Sequence, residues 1–370
     1  MKALFLIFHG FSPSNGISKK IHYQVKAMND CGVNTKLCYL QEIEGSKIRM
    51  IDSQPLRNYG SGVRGKILKR IEFKSIVDYV KKEDVKLIYI RSDHNANPFT
   101  WWLVYRLRKT GAKVVMEIPT FPYDQEYSSA SKSKKIIIDK CFRRLLAKQL
   151  NAIITFTTID KIFGAQTICI SNGIDFDQIK LKKQMNNTCK EFHLIGVAEI
   201  HYWHGFDRII QGLVNYYKMN PSYHVYFHII GDFFGEKEKK MILPLIQENH
   251  LEQYVILHGK RYGEELDALF EQADMAIGSL ARHRSGITYI KTLKNREYAA
   301  RGLAFIYSEI DEDFENKSYV MKVSPDETPI DITQLILFYQ KQPMSPENIR
   351  NSVQYLSWKN QMYKIIKAVE

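Results

Sequence analysis

The chain has 370 residues, of which 45% are hydrophobic, so it is too long for one ordinary core and too apolar for long-range disorder. Its five cysteines are scattered and form no Cys-x-x-Cys pair, which excludes a disulfide framework and a typical zinc site. The net charge of +13 lies in the first half, since residues 1–170 hold 29 Lys and Arg against 14 Asp and Glu, whereas the other 200 residues hold 24 against 26.

The charge asymmetry predicts an anionic partner for the first half, either a membrane or a nucleic acid. A solvated basic face without a partner is the alternative. No apolar run reaches the roughly 18 residues that span a bilayer. The N-terminal MKALFLIFHGF lacks the small-residue cleavage site of a signal peptide and fits a buried strand, so we expect a cytoplasmic protein.

The first half alternates short apolar runs with amphipathic stretches. Strands are predicted at 2–8, 34–39, 87–91, 113–118, 152–156 and 167–170, and helices at 16–31, 67–82, 100–110 and 132–150. This alternation is typical of a parallel sheet with right-handed crossovers.

The second half repeats the pattern, and the polar segment 181–189 is predicted to be a linker. Strands are predicted at 191–198, 224–230, 254–258, 275–278 and 304–307, and residues 346–370 have a helical pattern. We therefore expect an α/β protein of two Rossmann-like, doubly wound domains with a cleft between them. Ligands of such sheets bind beyond the carboxyl ends of the strands.

The most informative segment runs from Thr292 through Leu293 to Gly302. Its pattern predicts a helix over 293–301, which Gly302 ends and a buried strand follows. Unpaired N–H groups and the dipole at the start of this helix favour an anion. Lys294 adds a positive charge there, and Glu297 lies one turn further on.

This segment resembles the donor-nucleotide site of family 4 glycosyltransferases of the GT-B architecture. SNGID at 171–175 is similar to the element where the family's interdomain crossover begins. WHGFDR at 203–208, IYIR at 88–91 and EIPTFPYDQE at 117–126 are similar to a subset that builds bacterial capsules and surface polysaccharides. The resemblance implies that the Glu297 carboxylate binds the ribose hydroxyls of a sugar nucleotide, and that Thr292, Leu293 and Lys294 bind its diphosphate. It implies neither a metal nor a cofactor.

Further donor contacts follow from the same resemblance. His204 stands where the family places a Lys in a phosphate-binding loop, and a neutral His supplies less charge. Arg261 and Tyr262 occupy the loop that frames the base, and Arg284 follows a strand beside the diphosphate. The family's first carboxylate would fall at Tyr289, so the donor sugar stays open.

In the first half, Asn15 and Gly16 belong to a loop between strand and helix whose N–H groups can approach a phosphate. Arg91, Glu117 and Asp124 lie at predicted strand ends. They are candidate catalytic-site groups that bind sugar hydroxyls, and the alternative is an ion-paired structural cluster.

Residues 132–148 form a predicted basic amphipathic helix, and 64–74 hold a second basic run. Such helices bind anionic lipid with about 1 kcal/mol per basic residue. No nucleic-acid-binding motif accompanies them, so we expect a membrane surface and no nucleic acid.

The resemblance implies a retaining, metal-independent glycosyltransferase that moves a sugar from a nucleotide-diphosphate donor, with a UDP-sugar as first choice, to a lipid-linked or surface-polysaccharide acceptor. The N-terminal, acceptor-side domain is expected at 1–170, completed by a C-terminal helix within 350–370, and the nucleotide-sugar domain at 171–349. The enzyme would be peripheral on the inner face of the plasma membrane. A nucleotide-sugar-binding protein without transfer activity and a GT-B epimerase are the alternatives.

Overall fold

The computed structural model describes residues 1–11, 16–92, 96–124, 130–183, 190–341 and 344–370, with the side chains of 130–133 outside that description. These residues form two compact units, which comprise 1–173 with 358–370, and 174–357. The boundaries expected from the sequence are 170/171 and 350. The predicted linker 181–189 is described only at its start, and Leu181 and Lys182 there lie inside the second unit.

The elements of the first unit before the crossover are β1 (Lys2–Leu6), α1 (Gly16–Asp30), β2 (Asn34–Ile43), β3 (Ser46–Ile51), β4 (Gln54–Asn58), α2 (Gly62–Ile71), α3 (Lys74–Lys82), β5 (Leu87–Arg91), α4 (Pro98–Arg108), β6 (Lys113–Glu117), α5 (Ala130–Ala147), β7 (Ala152–Thr155), β8 (Lys161–Ile162) and β9 (Ala165–Cys169). The order of these strands in the described sheet is β4-β3-β2-β1-β5-β6-β7-β9-β8. From β1 the chain moves to β2 on one side and later to β5 on the other, so the strand order reverses between β1 and β5.

The second unit holds β10 (Glu191–Val197), α6 (Phe206–Tyr217), β11 (His224–Ile230), α7 (Glu236–Glu248), β12 (Val255–Gly259), α8 (Gly263–Gln272), β13 (Met275–Ile277), α9 (Leu293–Arg301), β14 (Ala304–Tyr307), β15 (Val320–Lys322), α10 (Ile332–Gln340) and α11 (Pro346–Asn351). Its described strands are all parallel, in the order β12-β11-β10-β13-β14-β15. Helix α12 (Trp358–Val369) then returns to the first unit.

The central strands of both sheets are continuous apolar runs. In β5, for example, every residue of LIYIR is buried. Strands covered by helices on both faces have this composition, because neither face meets water. The alternation of such runs with amphipathic helices is why the sequence predicts the α/β class correctly.

Two elements of the first unit differ from the sequence-based expectation. The predicted helix 67–82 is broken into α2 and α3 at Glu72 and Phe73, because the Phe73 ring is buried in the core at the start of α3. The antiparallel strands β3 and β4 extend the sheet beyond β2 and were not predicted. The two residues that connect them, Asp52 and Ser53, are not the Asn-Gly or Asp-Gly pair that signals a hairpin in a sequence.

Helix α12 packs on the first unit through a close contact between Trp358 and Gly173. A Cβ at position 173 would come within 2.3 Å of the indole ring, so only glycine fits there. Nearby, the Ser171 backbone N–H donates to Oε1 of Gln361 at 2.9 Å. The SNG element at 171–173 therefore has a structural role in seating the last helix. Among the described residues, no helix is long and apolar enough to cross a membrane.

Candidate functional site

Helix α9 in the second unit begins where β13 and β14 end. Thr292 caps the helix by accepting from the Asn295 N–H through its side chain, and Gly302, with a φ of 79°, ends it. Ser279 follows β13 and Glu309 follows β14. In a parallel sheet the carboxyl ends of neighbouring strands meet at one edge, so these side chains and the start of α9 are neighbours.

Four buried polar atoms meet at this edge. Nδ2 of Asn295 donates to Oε1 of Glu309 at 3.3 Å, and Oδ1 of Asn295 lies so near Gly278 that a Cβ there would approach it to 3.0 Å. Four atoms at this edge are buried without a hydrogen-bond partner among the described residues: Ser279 Oγ, Lys294 Nζ, Asn295 Oδ1 and Glu309 Oε2. A buried polar group without a partner costs about 1–3 kcal/mol, so this group of atoms is suited to a ligand that supplies the missing bonds.

The buried amine and carboxylate of this site influence each other. Burial lowers the pKa of Lys294, and the positive charge of Arg282 lowers it further, while Glu309 opposes the shift. Burial raises the pKa of Glu309, against the influence of Arg282 and Lys294. An anion next to Lys294 would restore its positive charge, so the site can respond electrostatically to a phosphate.

His204 and Arg282 complete the positive side of the site. Burial holds the pKa of His204 well below its usual value, and the charges of Lys294 and Arg282 act in the same direction. The Nδ1 atom of His204 accepts from the His201 N–H at 3.0 Å, so His204 is a neutral ring close to Lys294 and Arg282. The structure thus brings the predicted residues His204 and Lys294 together.

A buried ion-pair network holds α9 against the loop after β14. Nη1 and Nη2 of Arg296 donate to the two carboxylate oxygens of Asp311 at 2.6 and 3.0 Å, and Nη2 also contacts Asp313. Nη1 further donates to the Thr292 carbonyl at 3.0 Å. Arg296 and Asp311 therefore fix the start of α9 relative to the segment that carries Glu309.

Glu297 lies on the same helix, and its side chain is 37% exposed. Its Oε1 accepts from Nε and Nη2 of Arg301 at 3.0 and 2.9 Å. Nη1 of Arg301 donates to Asp267 at 2.8 Å, so the guanidinium bridges two carboxylates. This pairing orients Glu297 while leaving it accessible.

Arg284 is held by acidic neighbours. Its guanidinium donates to both oxygens of Asp207, at 3.0 and 2.7 Å, and to Oε1 of Glu327 at 3.0 Å. The hydrogen bonds to Glu327 are the main cause of the raised pKa of Arg284. The same pair lowers the pKa of Glu327 to about 2. Contact between Arg284 and a diphosphate would have to compete with these carboxylates.

The two predicted base-contact residues lie in the turn between β12 and α8. Tyr262 precedes the first residue of α8 and is exposed, and Arg261 forms a long ion pair of 3.7 Å with Glu265. Neither side chain makes a short polar contact with another described residue. Both can therefore move towards a ligand, and their contact with a base stays a prediction.

In the first unit, Arg91 and Glu117 belong to an ion-paired cluster. The Glu117 carboxylate is fully buried, pairs with Lys20 at 3.0 Å and with Arg91, and accepts from Tyr89 at 2.5 Å. Burial alone would raise the pKa of Glu117, but Lys20 and Arg91 lower it to about 2. The geometry matches the structural alternative rather than direct binding of sugar hydroxyls.

Asp124 accepts from Nη1 of Arg143 at 2.8 Å and lies 3.7 Å from Nζ of Lys140, so this carboxylate ties its loop to α5. Gly16 is the first residue of α1 and has open space around its Cα. Asn15 lies outside the described residues. The phosphate contact expected of this loop stays a prediction.

Sequence reasoning missed Ser279, Asn295, Glu309 and Arg282. Ser279 and Glu309 are polar residues that follow buried strands closely, and in this kind of sheet such positions are the sequence signal for a ligand site. Asn295 lies inside the segment that was singled out. Among the described residues, no group of three or more His, Cys, Asp or Glu side chains is arranged to hold a metal ion.

No protein-family profile and no curated protein sequence matches the chain. Solved structures match its fold along almost the whole length. Sucrose-phosphate synthase from Thermosynechococcus elongatus has a TM-score of 0.67 at 14% identity, covering 99% of this chain and 97% of that chain. HepE from Anabaena in complex with UDP has a TM-score of 0.65 at 15% identity, covering 99% of both chains.

The catalytic domain of starch synthase IV from Arabidopsis thaliana, bound to ADP and acarbose, has a TM-score of 0.62 at 12% identity and covers 100% of this chain and 98% of that chain. The predicted α/β class with two Rossmann-like units is confirmed. The chain therefore has the GT-B fold.

Proposed function

We propose that the protein is a glycosyltransferase that takes a sugar from a nucleotide-diphosphate donor bound at the start of α9. The observation that carries this proposal is the group of four buried atoms that have no partner among the described residues: Ser279 Oγ, Lys294 Nζ, Asn295 Oδ1 and Glu309 Oε2. They lie beyond the carboxyl ends of parallel strands, where ligands of such sheets bind. The Lys294 amine and the Ser279 hydroxyl can donate to a diphosphate beside a helix N-terminus, whereas Asn295 Oδ1 and Glu309 Oε2 are acceptors suited to hydroxyl donors of a sugar nucleotide.

Each donor contact has a proposed residue. Lys294 faces the diphosphate and stabilises the negative charge that develops on it as the sugar leaves. Glu297, oriented by Arg301, accepts hydrogen bonds from the ribose hydroxyls. Thr292 and Leu293 contribute backbone at the start of α9, and Arg261 and Tyr262 lie in the loop proposed to frame the base. No metal is assigned a step.

The likeness to donor-bound structures supports the same proposal. HepE was solved with UDP and the starch synthase domain with ADP, so GT-B proteins of this shape bind nucleoside diphosphates. We take a UDP-sugar as the first donor to test. Retention of the anomeric configuration, expected from the family resemblance, is proposed with it.

The acceptor is proposed to be a lipid-linked or surface-polysaccharide saccharide, reached from an anionic membrane on its cytoplasmic side. Large apolar side chains are exposed on three helices of the first unit, and we call this set the membrane face. Its members are Val63 and Ile67 on α2, Phe99, Trp102 and Tyr105 on α4, and Ile137, Ile138 and Leu145 on α5. Basic residues accompany them on each helix, as on helices that lie in a lipid interface.

The experiment that tests the donor proposal is a screen of UDP-, ADP- and GDP-sugars by thermal stabilisation, followed by product analysis with the sugar nucleotide that stabilises most. Parent protein and Lys294→Ala are compared at saturating donor. We expect stabilisation by at least one sugar nucleotide, and a lower turnover in the variant. Equal rates in parent and variant would contradict the role of Lys294.

Product analysis also separates the alternatives. Binding without any product, with acceptor extracts present, would favour a sugar-nucleotide-binding protein that has lost transfer activity. Conversion of one sugar nucleotide into another without an acceptor would favour an epimerase. The same assays run with EDTA test the expected independence of metal, since restoration of a lost activity by Mn²⁺ would contradict it.

A further inference from the structure

The first unit contains a cavity of about 950 Å³ at the reversal point of its sheet. Phe8 to Phe11 follow β1, and Ser92 follows β5, so the cavity lies beyond the carboxyl ends of the two strands between which the strand order reverses. This position is where open α/β sheets bind their ligands. The cavity belongs entirely to the first unit and is distinct from the site at α9.

One part of the cavity wall is apolar. Its members are Phe8, Phe11, Leu40, Phe73, Ala96, Met116, Ile138 and Leu146. A saccharide alone would leave many of its hydroxyls facing this wall without hydrogen bonds. A hydrocarbon chain would instead be removed from water by it.

Four other lining residues are basic. Lys47, Lys69, Arg70 and Lys135 line the cavity, and among the described lining residues the single carboxylate is Glu42. Glu42 pairs with Lys47. Burial lowers the pKa of Lys69, and the charges of Arg70, Lys47 and Arg49 add to that shift. The cations therefore repel one another, and an anion would relieve this repulsion.

A buried guanidinium lies behind the basic wall. Arg49 on β3 has no exposed surface, and its Nη1 donates to the Ile7 carbonyl at 2.9 Å, next to Phe8 of the cavity. Its side chain interacts with the Tyr59 hydroxyl, and among the described residues no carboxylate pairs with it. A buried charge without a carboxylate is costly, so an anion nearby would stabilise it.

Resting on the proposed function, we infer that this cavity binds the phosphate group of an amphipathic phosphate ester, with Lys69 and Arg70 as its principal ligands and the apolar wall around its hydrocarbon chain. The acceptor would then be a saccharide carried on a lipid phosphate. Helices α2, α4 and α5 line the cavity, and the same three helices carry the membrane face. A lipid phosphate can therefore enter from a membrane on which these helices rest.

The experiment is calorimetric titration of the protein with octyl phosphate, octyl glucoside, inorganic phosphate and a glucuronic-acid oligosaccharide. We expect octyl phosphate to bind at least tenfold more tightly than the other three. The Lys69→Gln/Arg70→Gln variant should bind octyl phosphate at least tenfold more weakly than the parent does, while Lys69→Arg/Arg70→Lys should retain binding. Lys81→Gln/Lys82→Gln, which removes the same charge from α3, should bind as the parent does.

Three outcomes would overturn the inference. Octyl glucoside binding as tightly as octyl phosphate would show that the phosphate is not recognised, and preference for the acidic oligosaccharide would assign the cavity to a charged glycan. If Lys69→Gln/Arg70→Gln binds octyl phosphate with unchanged affinity and melts at the parent's temperature, Lys69 and Arg70 are not the phosphate ligands. UDP titrated in parallel tests the donor site. If UDP does not bind while octyl phosphate does, the proposed function is refuted and the cavity assignment stands.

Discussion

Asn295 and Glu309 are joined by a hydrogen bond of 3.3 Å from Nδ2 to Oε1, although 13 residues and a complete strand separate them. The bond leaves Oδ1 of Asn295 and Oε2 of Glu309 buried without partners among the described residues. One end of each side chain is thus anchored, and the other is available to a ligand. This arrangement supplies fixed dipoles beside Lys294 before any donor arrives.

The lowered pKa of Lys294 predicts that donor binding takes up a proton. Between that lowered pKa and the usual 10.5, the buried amine is largely neutral in the ligand-free protein. A diphosphate favours the ammonium form, so UDP affinity should fall as pH rises from 7.5 to 9, by up to about tenfold per pH unit. Glu309 acts in the same direction, because its raised pKa and a nearby anion both favour its protonated form.

Calorimetry of UDP binding in buffers of different ionisation heat measures this proton directly. Lys294→Met should remove most of the buffer dependence of the binding heat. The change caused by Glu309→Gln measures how much of the proton uptake is due to the Glu309 carboxylate. A binding heat that is the same in all buffers would show that neither group changes its protonation state.

Glu297→Ala should weaken UDP binding by about 1.5–3 kcal/mol, which is roughly 10- to 150-fold, because hydrogen bonds from the ribose to a charged carboxylate are lost. The matched control is Asp267→Asn, which removes the other carboxylate bound to Arg301. We expect this control to change stability but to retain UDP affinity. Similar losses in both variants would mean that Glu297 acts only through Arg301 and does not touch the nucleotide.

Asp311→Ala should destabilise the protein by about 3–5 kcal/mol, because it leaves the guanidinium of Arg296, which is 1% exposed, with its main partner missing. Chemical denaturation measures this loss. The double variant Arg296→Met/Asp311→Leu should recover part of it, since an apolar pair can replace a buried ion pair. If Asp311→Ala denatures at the parent's midpoint, the network does not stabilise the fold.

Much of the fold could be predicted from local sequence, whereas the site could be predicted only in part. The bounds of α9 at 293 and 301 follow from a capping Thr, a helical pattern and a terminal Gly. Glu309 and Arg282 lie in other segments, and their convergence on Lys294 depends on how β13 and β14 pair. For Glu117 the sequence left sugar binding and an ion-paired cluster open, because its partner Lys20 lies 97 residues earlier and local pattern does not show that the two side chains meet.

The basic face of α5 predicts binding to anionic membranes, and the structure narrows which residues carry it. Arg143 is tied to Asp124 and packs on the Phe163 ring at 4.4 Å, so it belongs to the fold. Lys134 and Arg144 on the helix and Lys148 just beyond its last residue are exposed. Near an anionic surface each contributes about 1 kcal/mol, and the attraction is screened within about 10 Å at 0.1 M salt.

Changing Lys134, Arg144 and Lys148 together to Gln should therefore reduce co-sedimentation with liposomes that contain anionic lipid, and raised salt should have the same effect on the parent. The matched control changes three exposed lysines of α12, Lys359, Lys364 and Lys367, to Gln. Because this control loses the same net charge from a different helix, it should sediment as the parent does, and Trp102→Ala on α4 should reduce binding to neutral and anionic vesicles alike. Equal sedimentation of the α5 variant and the α12 control would mean that overall charge, and not the face formed by α5, attracts the protein to lipid.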